Sequence, residues 1–265
     1  MFDRRTTMFD PMDFRPWAFY DAKRLYTLYQ TDDTSTPVTA TGQTVGRWED
    51  ISGNARHALQ ATAGARPTFR DNVQGHRRVE GGINRGLLLS GTYDLSYTPA
   101  ITLLVGYRSQ DGGSNTHLHI SDGTGTGTPR MVAASGFPAG LNCSINGNGS
   151  TPIMSTASNP TGYTFIPYVF RADFRITTGT SLGNSASELM GLYQNQTKYR
   201  NGGGVSDNTN AGWSATHTIS LCNNNDLAAA NTSFLHHIII YDKALTEYEM
   251  RQLWQWSHRE NCTNR

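Results

Sequence analysis

Hydrolysis of a glycosidic bond needs two carboxyl groups flanking that bond, one acting as nucleophile or base and the other as acid. The acidic residues of this chain are poorly placed for such work. Glu49 and Asp50 are adjacent in a strand-like stretch and so point to opposite faces. Glu188 stands alone, and Glu247 and Glu249 belong to the start of a helical pattern. The sequence therefore predicts no catalytic pair, and the chain reads as a non-enzyme.

Metal chemistry has more material. His117 and His119 lie two apart in "THLHIS", a spacing that puts both imidazoles on one face of a strand. The plainer expectation for them is a surface or groove pair with no metal between. His236 and His237 are neighbours, hence on opposite faces. Asp32, Asp33, Asp94 and Asp111 are loop carboxylates, the hard oxygen ligands that calcium takes. Cys143, Cys222 and Cys262 are odd in number and widely spaced, which fits neither a zinc nor a redox pattern. "SDGTGTGTP", from Ser121 to Pro129, has no P-loop lysine and no following helix, so it reads as a flexible loop rather than a phosphate cradle.

Binding a sugar without cleaving it asks for an aromatic face against the ring C–H bonds, with amides and carboxylates reading the hydroxyls. "YRNGGGVSDNTNAGW" holds that mixture in Tyr199, Asn201, Asp207, Asn208, Asn210 and Trp213. Trp213 has an alternative use as an anchor of the loop to the core.

Composition narrows the classes further. The 265 residues carry 22 Lys and Arg against 21 Asp and Glu, a formal charge of +1. Displacing counterions from phosphates needs a concentrated basic patch, so no nucleic-acid partner is expected. The one short basic cluster, around Arg77 and Arg78, reads as a solvated turn. No apolar stretch approaches the roughly 20 residues of a membrane span, so no membrane insertion is expected. "MFDRRTTMFDPMDF" lacks the apolar core of a signal peptide, which predicts cytoplasmic synthesis without general secretory export. The Asn-x-Ser/Thr triplets at Asn142, Asn148, Asn195, Asn231 and Asn261 are what chance produces in a chain this rich in Asn and Thr.

Strands make up most of the scaffold that would carry these side chains. Residues 1–13 read as an arm without period, although Phe2, Met8, Phe9 and Met12 make it too apolar for a loose tail. It is expected either to pack on its own domain or to dock on a neighbour. From residue 14 onward, strand patterns recur at short intervals: "WAFYD", "VGRWED", "HALQA", "RPTF", "GLLLSG", "AITLLVGYRS", "THLHIS", "RMVAAS", "GLNCSIN", "YVFRADFRITT", "ELMGLYQN", "TKYRNGG", "THTISLC" and "FLHHIIIYD". "AITLLVGYRS" is long enough for a central strand. In "YVFRADFRITT" the alternation puts Phe170, Phe174 and Ile176 inward and Val169, Arg171, Asp173 and Arg175 outward, as in a half-buried antiparallel strand. Strands separated by turns, with no intervening helical pattern, indicate a sandwich or barrel.

Only the C-terminus changes period. Thr246 and Glu249 have the capping-box spacing, and Met250, Leu253, Trp254 and Ser257 form a narrow stripe at helical spacing over about residues 246–258. A helix with one apolar face is expected to lie across an end or edge of the sandwich.

The closing run "IIIYDKALTEYEM" resembles the last strand and helix of laminin-G-like, concanavalin A-like jelly-roll domains. The opening, from "FYDAKRLYTLYQ" through "VGRWEDISGNARHALQATAGARPTF", is similar to the start of such domains in bacteriophage virion proteins, and "YRNGGGV" is similar to their mid-domain hairpin. The likeness covers about residues 14–258. It implies an all-β antiparallel jelly-roll β-sandwich over 14–265 with one C-terminal α-helix, preceded by the arm. Glycosidases of that fold carry Glu-x-Asp-x-x-Glu on one strand, a motif absent here. What the resemblance implies is a non-enzymatic virion component on the particle exterior, in a fibre, spike, decoration or baseplate. Its partners would be other virion proteins, through the arm, and host-surface glycan. A bound calcium ion and a homo-oligomer are both compatible with it. A bacterial carbohydrate-binding module and a divergent polysaccharide-degrading enzyme are the alternatives. Within the motif, Trp48 is expected in the core, Ser52, Gly53 and Asn54 in a tight turn with positive φ at Gly or Asn, and Ala58 and Gln60 on the strand face opposite His57 and Leu59.

Overall fold

A computed structural model describes residues 9–71, 76–93, 100–108, 115–121, 130–136, 140–146, 154–155, 165–173, 190–194, 197–199, 217–222 and 233–262. Among them, strands numbered in chain order build two antiparallel sheets. The first runs β15 (Thr197–Tyr199), β14 (Met190–Gln194), β13 (Phe165–Asp173), β8 (Ala100–Arg108), β17 (Phe234–Tyr241), β6 (Arg78–Glu80), β5 (Thr68–Arg70). β1 (Ala18–Asp21) also pairs with β17, so that β1 and β6 lie end to end along one edge of it. The second sheet runs β12 (Met154–Ser155), β11 (Gly140–Asn146), β10 (Arg130–Gly136), β9 (Asn115–Ser121), β16 (Thr218–Leu221), β7 (Leu87–Leu89), β4 (Ala58–Leu59), β3 (Arg47–Trp48), β2 (Leu28–Tyr29).

Side chains from both sheets meet in one core. Tyr20, Leu103, Val105, Tyr107, Phe170, Ile238 and Ile240 come from the first sheet, and Leu28, Trp48, Leu87, Leu118, Ile120 and Ile219 from the second. This is the expected antiparallel β-sandwich, with Trp48 fully buried against the edge of Tyr20.

The outer face of the first sheet is covered as well. Phe19, Leu104, Val169, Ile239 and Tyr241 form a second cluster with Leu245, Met250, Leu253 and Trp254 of helix α1 (Glu247–Cys262). The capping box forms as its spacing predicts: Glu249 Oε2 accepts from the Thr246 amide at 2.6 Å, and the Glu249 amide donates to Thr246 Oγ1 at 3.3 Å. All four stripe residues, Ser257 included, are buried. Burying Met250 and Leu253 together contributes about 3–6 kcal/mol relative to exposure. The helix thus lies over the face of the sheet, above β13, β14 and β8, rather than across an end or edge. Five hydrogen bonds tie this layer down. Thr102 Oγ1 donates to Lys243 O and accepts from the Leu245 amide, Arg171 Nη1 donates to Leu245 O, Trp254 Nε1 donates to Pro167 O, and His237 Nε2 bonds Ser257 Oγ at 2.7 Å.

Coverage on both sides corrects three sequence expectations. Val169 does not face solvent with the polar set of β13 but lies beneath the helix, so this strand is buried on both faces along 167–170. Phe174, Ile176 and Arg175 fall outside the described residues. His117 and His119 are not a surface pair on one face. Leu118 and Ile120 point into the core, so alternation turns His119 away. A register shift in the β9–β10 pairing opposite Ala133 and Ala134 lets His117 turn inward too, where it packs 4.3 Å from the Tyr107 ring. Nor do Arg77 and Arg78 sit in a solvated turn. Arg77 pairs with Asp71 at 3.1 Å and bonds Lys23 O, while Arg78 opens β6 and lies over the Phe234 ring.

Of the expected arm, residues 9–13 pack on this domain. Asp10 caps the 3-10 turn Pro11–Phe14, the Tyr241 hydroxyl donates to Pro11 O at 3.1 Å, and Phe9, Met12 and Phe14 pack on the outer cluster. Residues 1–8 fall outside the described set.

Gly106 on β8 has a specific steric cause: a Cβ there would meet the His237 ring at 2.4 Å. Gly106→Ala is expected to cost about 1–3 kcal/mol in urea unfolding. In the Gly106→Ala, His237→Ala double variant the two costs should fall short of additive, since removing the ring removes the clash; strictly additive values would contradict the contact.

Burial pulls the His117 and His237 imidazoles down to about 3, and His236 well below the ordinary range, with repulsion from His237 and His76 adding to the last. In the unfolded chain these groups titrate near 6.5. Their folded values are depressed, so stability is full above the unfolded value and is lost as pH falls from about 6.5 toward about 3, where the unfolded chain binds more protons. His117 and His237 each contribute a loss of about 2 kcal/mol between pH 7 and pH 5, and His236 acts in the same direction. Urea midpoints at the two pH values should show His117→Phe losing less stability than the parent by about that amount; equal losses would contradict this.

Candidate ligand-binding cleft

The motif "WEDISGNARH" is held by one buried carboxylate. Asp50 Oδ1 accepts from the Phe19 and Ser52 amides, both at 2.9 Å, and Oδ2 accepts from Ser52 Oγ at 2.8 Å and the Arg56 amide at 3.1 Å. The Asp50 amide donates to His57 Nδ1 at 3.2 Å. Four donors on one side chain fold residues 50–56 back onto β1 and satisfy turn amides that would otherwise face the sandwich end unpaired. Positive φ occurs at Gly53, as expected, and at Ala55 rather than Asn54. Asn54 instead uses its side chain, Nδ2 donating to Pro16 O at 3.0 Å and Trp17 O at 3.1 Å. The left-handed Ala55 costs about 1–2 kcal/mol, which the Asp50 and Asn54 contacts on either side offset. The Tyr20 hydroxyl completes the anchor by donating to Arg56 O.

This turn, the approach to β1 and the exit of β17 enclose a cleft of about 390 Å³, lined by Met12, Arg15, Pro16, Trp17, Ser52, Asn54, Arg56 and Asp242. That volume lies within the range of small-ligand sites, roughly 300–1,000 Å³. Arg56 is anchored at two points: Nη1 donates to Trp17 O at 2.9 Å, and the guanidinium lies 4.1 Å from the Trp17 ring centroid. Tyr93 packs edge-on against Trp17 at 4.7 Å. Arg15 and Asp242 stand exposed at the rim.

None of these side chains was singled out as a ligand-binding candidate from sequence. Local pattern marks Asp50, Ser52 and Asn54 as a turn, but residues 12–17, 52–56 and 242 come together only through the β1–β17 pairing. Of the sequence-derived sugar candidates, Tyr199 ends β15 at the edge of the first sheet, paired with Leu192. Asn201, Asp207, Asn208, Asn210 and Trp213 fall outside the described residues, as do Asp94, Asp111 and Glu188.

Asp32 and Asp33 sit together in the loop after β2. Asp33 Oδ1 accepts from Thr31 Oγ1, Ser35 Oγ and the Ser35 amide, hydrogen bonds that lower its pKa to about 2, the Ser35 hydroxyl contributing most. Asp32 faces Arg66 at 3.5 Å. Asp33 is thus engaged within its own loop and Asp32 by Arg66 from outside it, and among the described residues no three His, Cys, Asp or Glu side chains cluster to hold a metal. Cys222 is buried and unpaired, its thiol pushed up by burial.

No protein-family model matches the chain, and no curated sequence matches it. Solved structures resemble it in fold. A GH54 α-L-arabinofuranosidase soaked with a cyclic sulfate inhibitor aligns with a TM-score of 0.60 and 13% identity, over 91% of this chain and 62% of that one. Trypanosoma rangeli sialidase in complex with a difluorinated KDN aligns with a TM-score of 0.54 and 13% identity, over 89% of this chain and 32% of that one. The chain therefore spans about a third of the sialidase and under two thirds of the arabinofuranosidase, and what it shares with both is the antiparallel β-sandwich.

Asp50→Ala is expected to lower the stability of the fold by about 3–5 kcal/mol in urea unfolding, because four donors lose a buried acceptor. Asp50→Asn, which keeps one carbonyl acceptor, should cost less. A loss under about 1 kcal/mol for Asp50→Ala would contradict the anchoring role.

Proposed function

We propose that the chain is a non-enzymatic, saccharide-binding β-sandwich of a bacteriophage particle, displayed in a fibre, spike, decoration or baseplate and serving adhesion to host-surface glycan or attachment within the particle. The observation that carries the saccharide part is the cleft at the sandwich end, a concave site whose polar groups converge from three separate segments. The likeness in fold to a sialidase and an arabinofuranosidase supports it, since both of those proteins act on sugars. The virion part is supported by the resemblance of the opening motif to the start of jelly-roll domains in bacteriophage virion proteins.

A non-enzymatic role is supported by the cleft lining, in which Asp242 is the one carboxylate among the described residues, so that a second acid or base for glycoside hydrolysis is not in place there. Any docking on other virion proteins falls to residues 1–8, because Phe9, Pro11 and Met12 are already engaged with the outer cluster.

Mass spectrometry of purified particles is expected to find the chain as a stoichiometric component, and deletion of residues 1–8 to abolish incorporation while the urea midpoint stays unchanged. Absence from particles would sink the virion reading in favour of a bacterial module. On a glycan array the full chain should bind a defined set of saccharides and release no product from them; product release would favour the enzyme.

A further inference from the structure

Two arginines and one aspartate line the cleft, and none of the three is ion-paired with another described residue. Arg15 closes the 3-10 turn in left-handed backbone, φ 51, which sets its side chain at the rim. Arg56 is held by the Trp17 ring and Trp17 O through one edge of its guanidinium. Its Nε and Nη2 donors have no acceptor among the described residues. A guanidinium fixed on one edge and open on another is organised for two-point recognition of a planar oxyanion. Because Arg56 covers the Trp17 ring, the indole serves as backing for the cation rather than as a platform for a sugar ring.

The same lining offers acceptors. Asp242 presents a carboxylate, and Asn54, whose amide nitrogen is spent on Pro16 O and Trp17 O, keeps its carbonyl oxygen. A bare inorganic anion would suit the arginines but set its charge against Asp242. A neutral sugar would satisfy the acceptors and leave both guanidinium groups without counter-charge. A ligand carrying an anionic group and hydroxyls together answers all four residues. We propose that this cleft binds a carboxylate-bearing saccharide, the carboxylate on Arg56 and Arg15 and the hydroxyls donating to Asp242 and Asn54. This rests on the saccharide-binding reading above and adds the charge class of the ligand and the residues that select it.

The test uses the full chain on an array of uronic- and sialic-acid glycans beside their neutral counterparts, followed by calorimetry with the best acidic binder, its neutral counterpart and inorganic phosphate. Acidic glycans are expected to bind at least about tenfold more tightly than neutral ones. Arg56→Gln should weaken that binding by about tenfold or more. Arg15→Gln, at an exposed position whose urea midpoint should not move, should weaken it severalfold. Equal binding of acidic and neutral glycans, or affinities unmoved by both substitutions, would overturn the charge class while leaving saccharide binding in place. Phosphate binding as tight as that of the best acidic glycan would overturn it in favour of a simple anion site. Failure to bind any glycan would overturn both this proposal and the reading beneath it.

Discussion

The fold depends on the pairing of β8 with β17, two long neighbours of the first sheet that are buried on both faces along nearly their whole length. A sheet can lose water on both sides only if each face finds an apolar partner. The second sheet covers Leu103, Val105, Ile238 and Ile240; helix α1 and residues 9–14 cover Leu104, Ile239 and Tyr241. Without that outer layer a contiguous apolar strip would face solvent, a surface that invites association. An isolated helix of this length is marginal in water, so sheet and helix are mutually dependent. The few polar side chains in the strip act as ties: Thr102 and His237 each take a partner from the helix or the connection leading to it.

From that pair the structure extends to the cleft. β1 pairs with the far half of β17, and the Trp17 amide continues the ladder by donating to Ile240 O. With β1 fixed, Asp50 folds the turn at 51–56 onto it, and Arg56 is carried to the Trp17 ring. Asp242 follows directly from the end of β17. Every charged group in the cleft is therefore one or two contacts from the central strands. Its geometry inherits the rigidity of the core rather than the freedom of a loop.

Much of the fold was legible because it rests on local pattern. Thr246 and Glu249 announced the helix start, Met250, Leu253, Trp254 and Ser257 its buried face, and Trp48 its place in the core. Long strand-forming runs at 100–107 and 234–241 marked two strands. Local pattern failed where a tertiary event intervened. The helix went to the sheet face because Val169, Leu104 and Ile239 needed covering, which no single strand's alternation reveals. His117 turned inward at a register shift that depends on the partner strand. Gly53 took positive φ as expected, and the second turn residue to do so was Ala55 because Asn54 was committed to Pro16 and Trp17. The cleft was illegible for the same reason: Arg15, Arg56 and Asp242 are far apart in sequence, and only the β1–β17 pairing joins them.

Strands β8 and β17 and helix α1 are expected to open as one cooperative layer pair, which native-state amide hydrogen exchange reads residue by residue. Residues 100–108 and 234–241 should be the slowest to exchange, and residues 250–257 of the helix should open with nearly the same free energy as those strands. Exchange of the helix several kcal/mol more readily than the strands, with β8 and β17 still protected, would contradict the account.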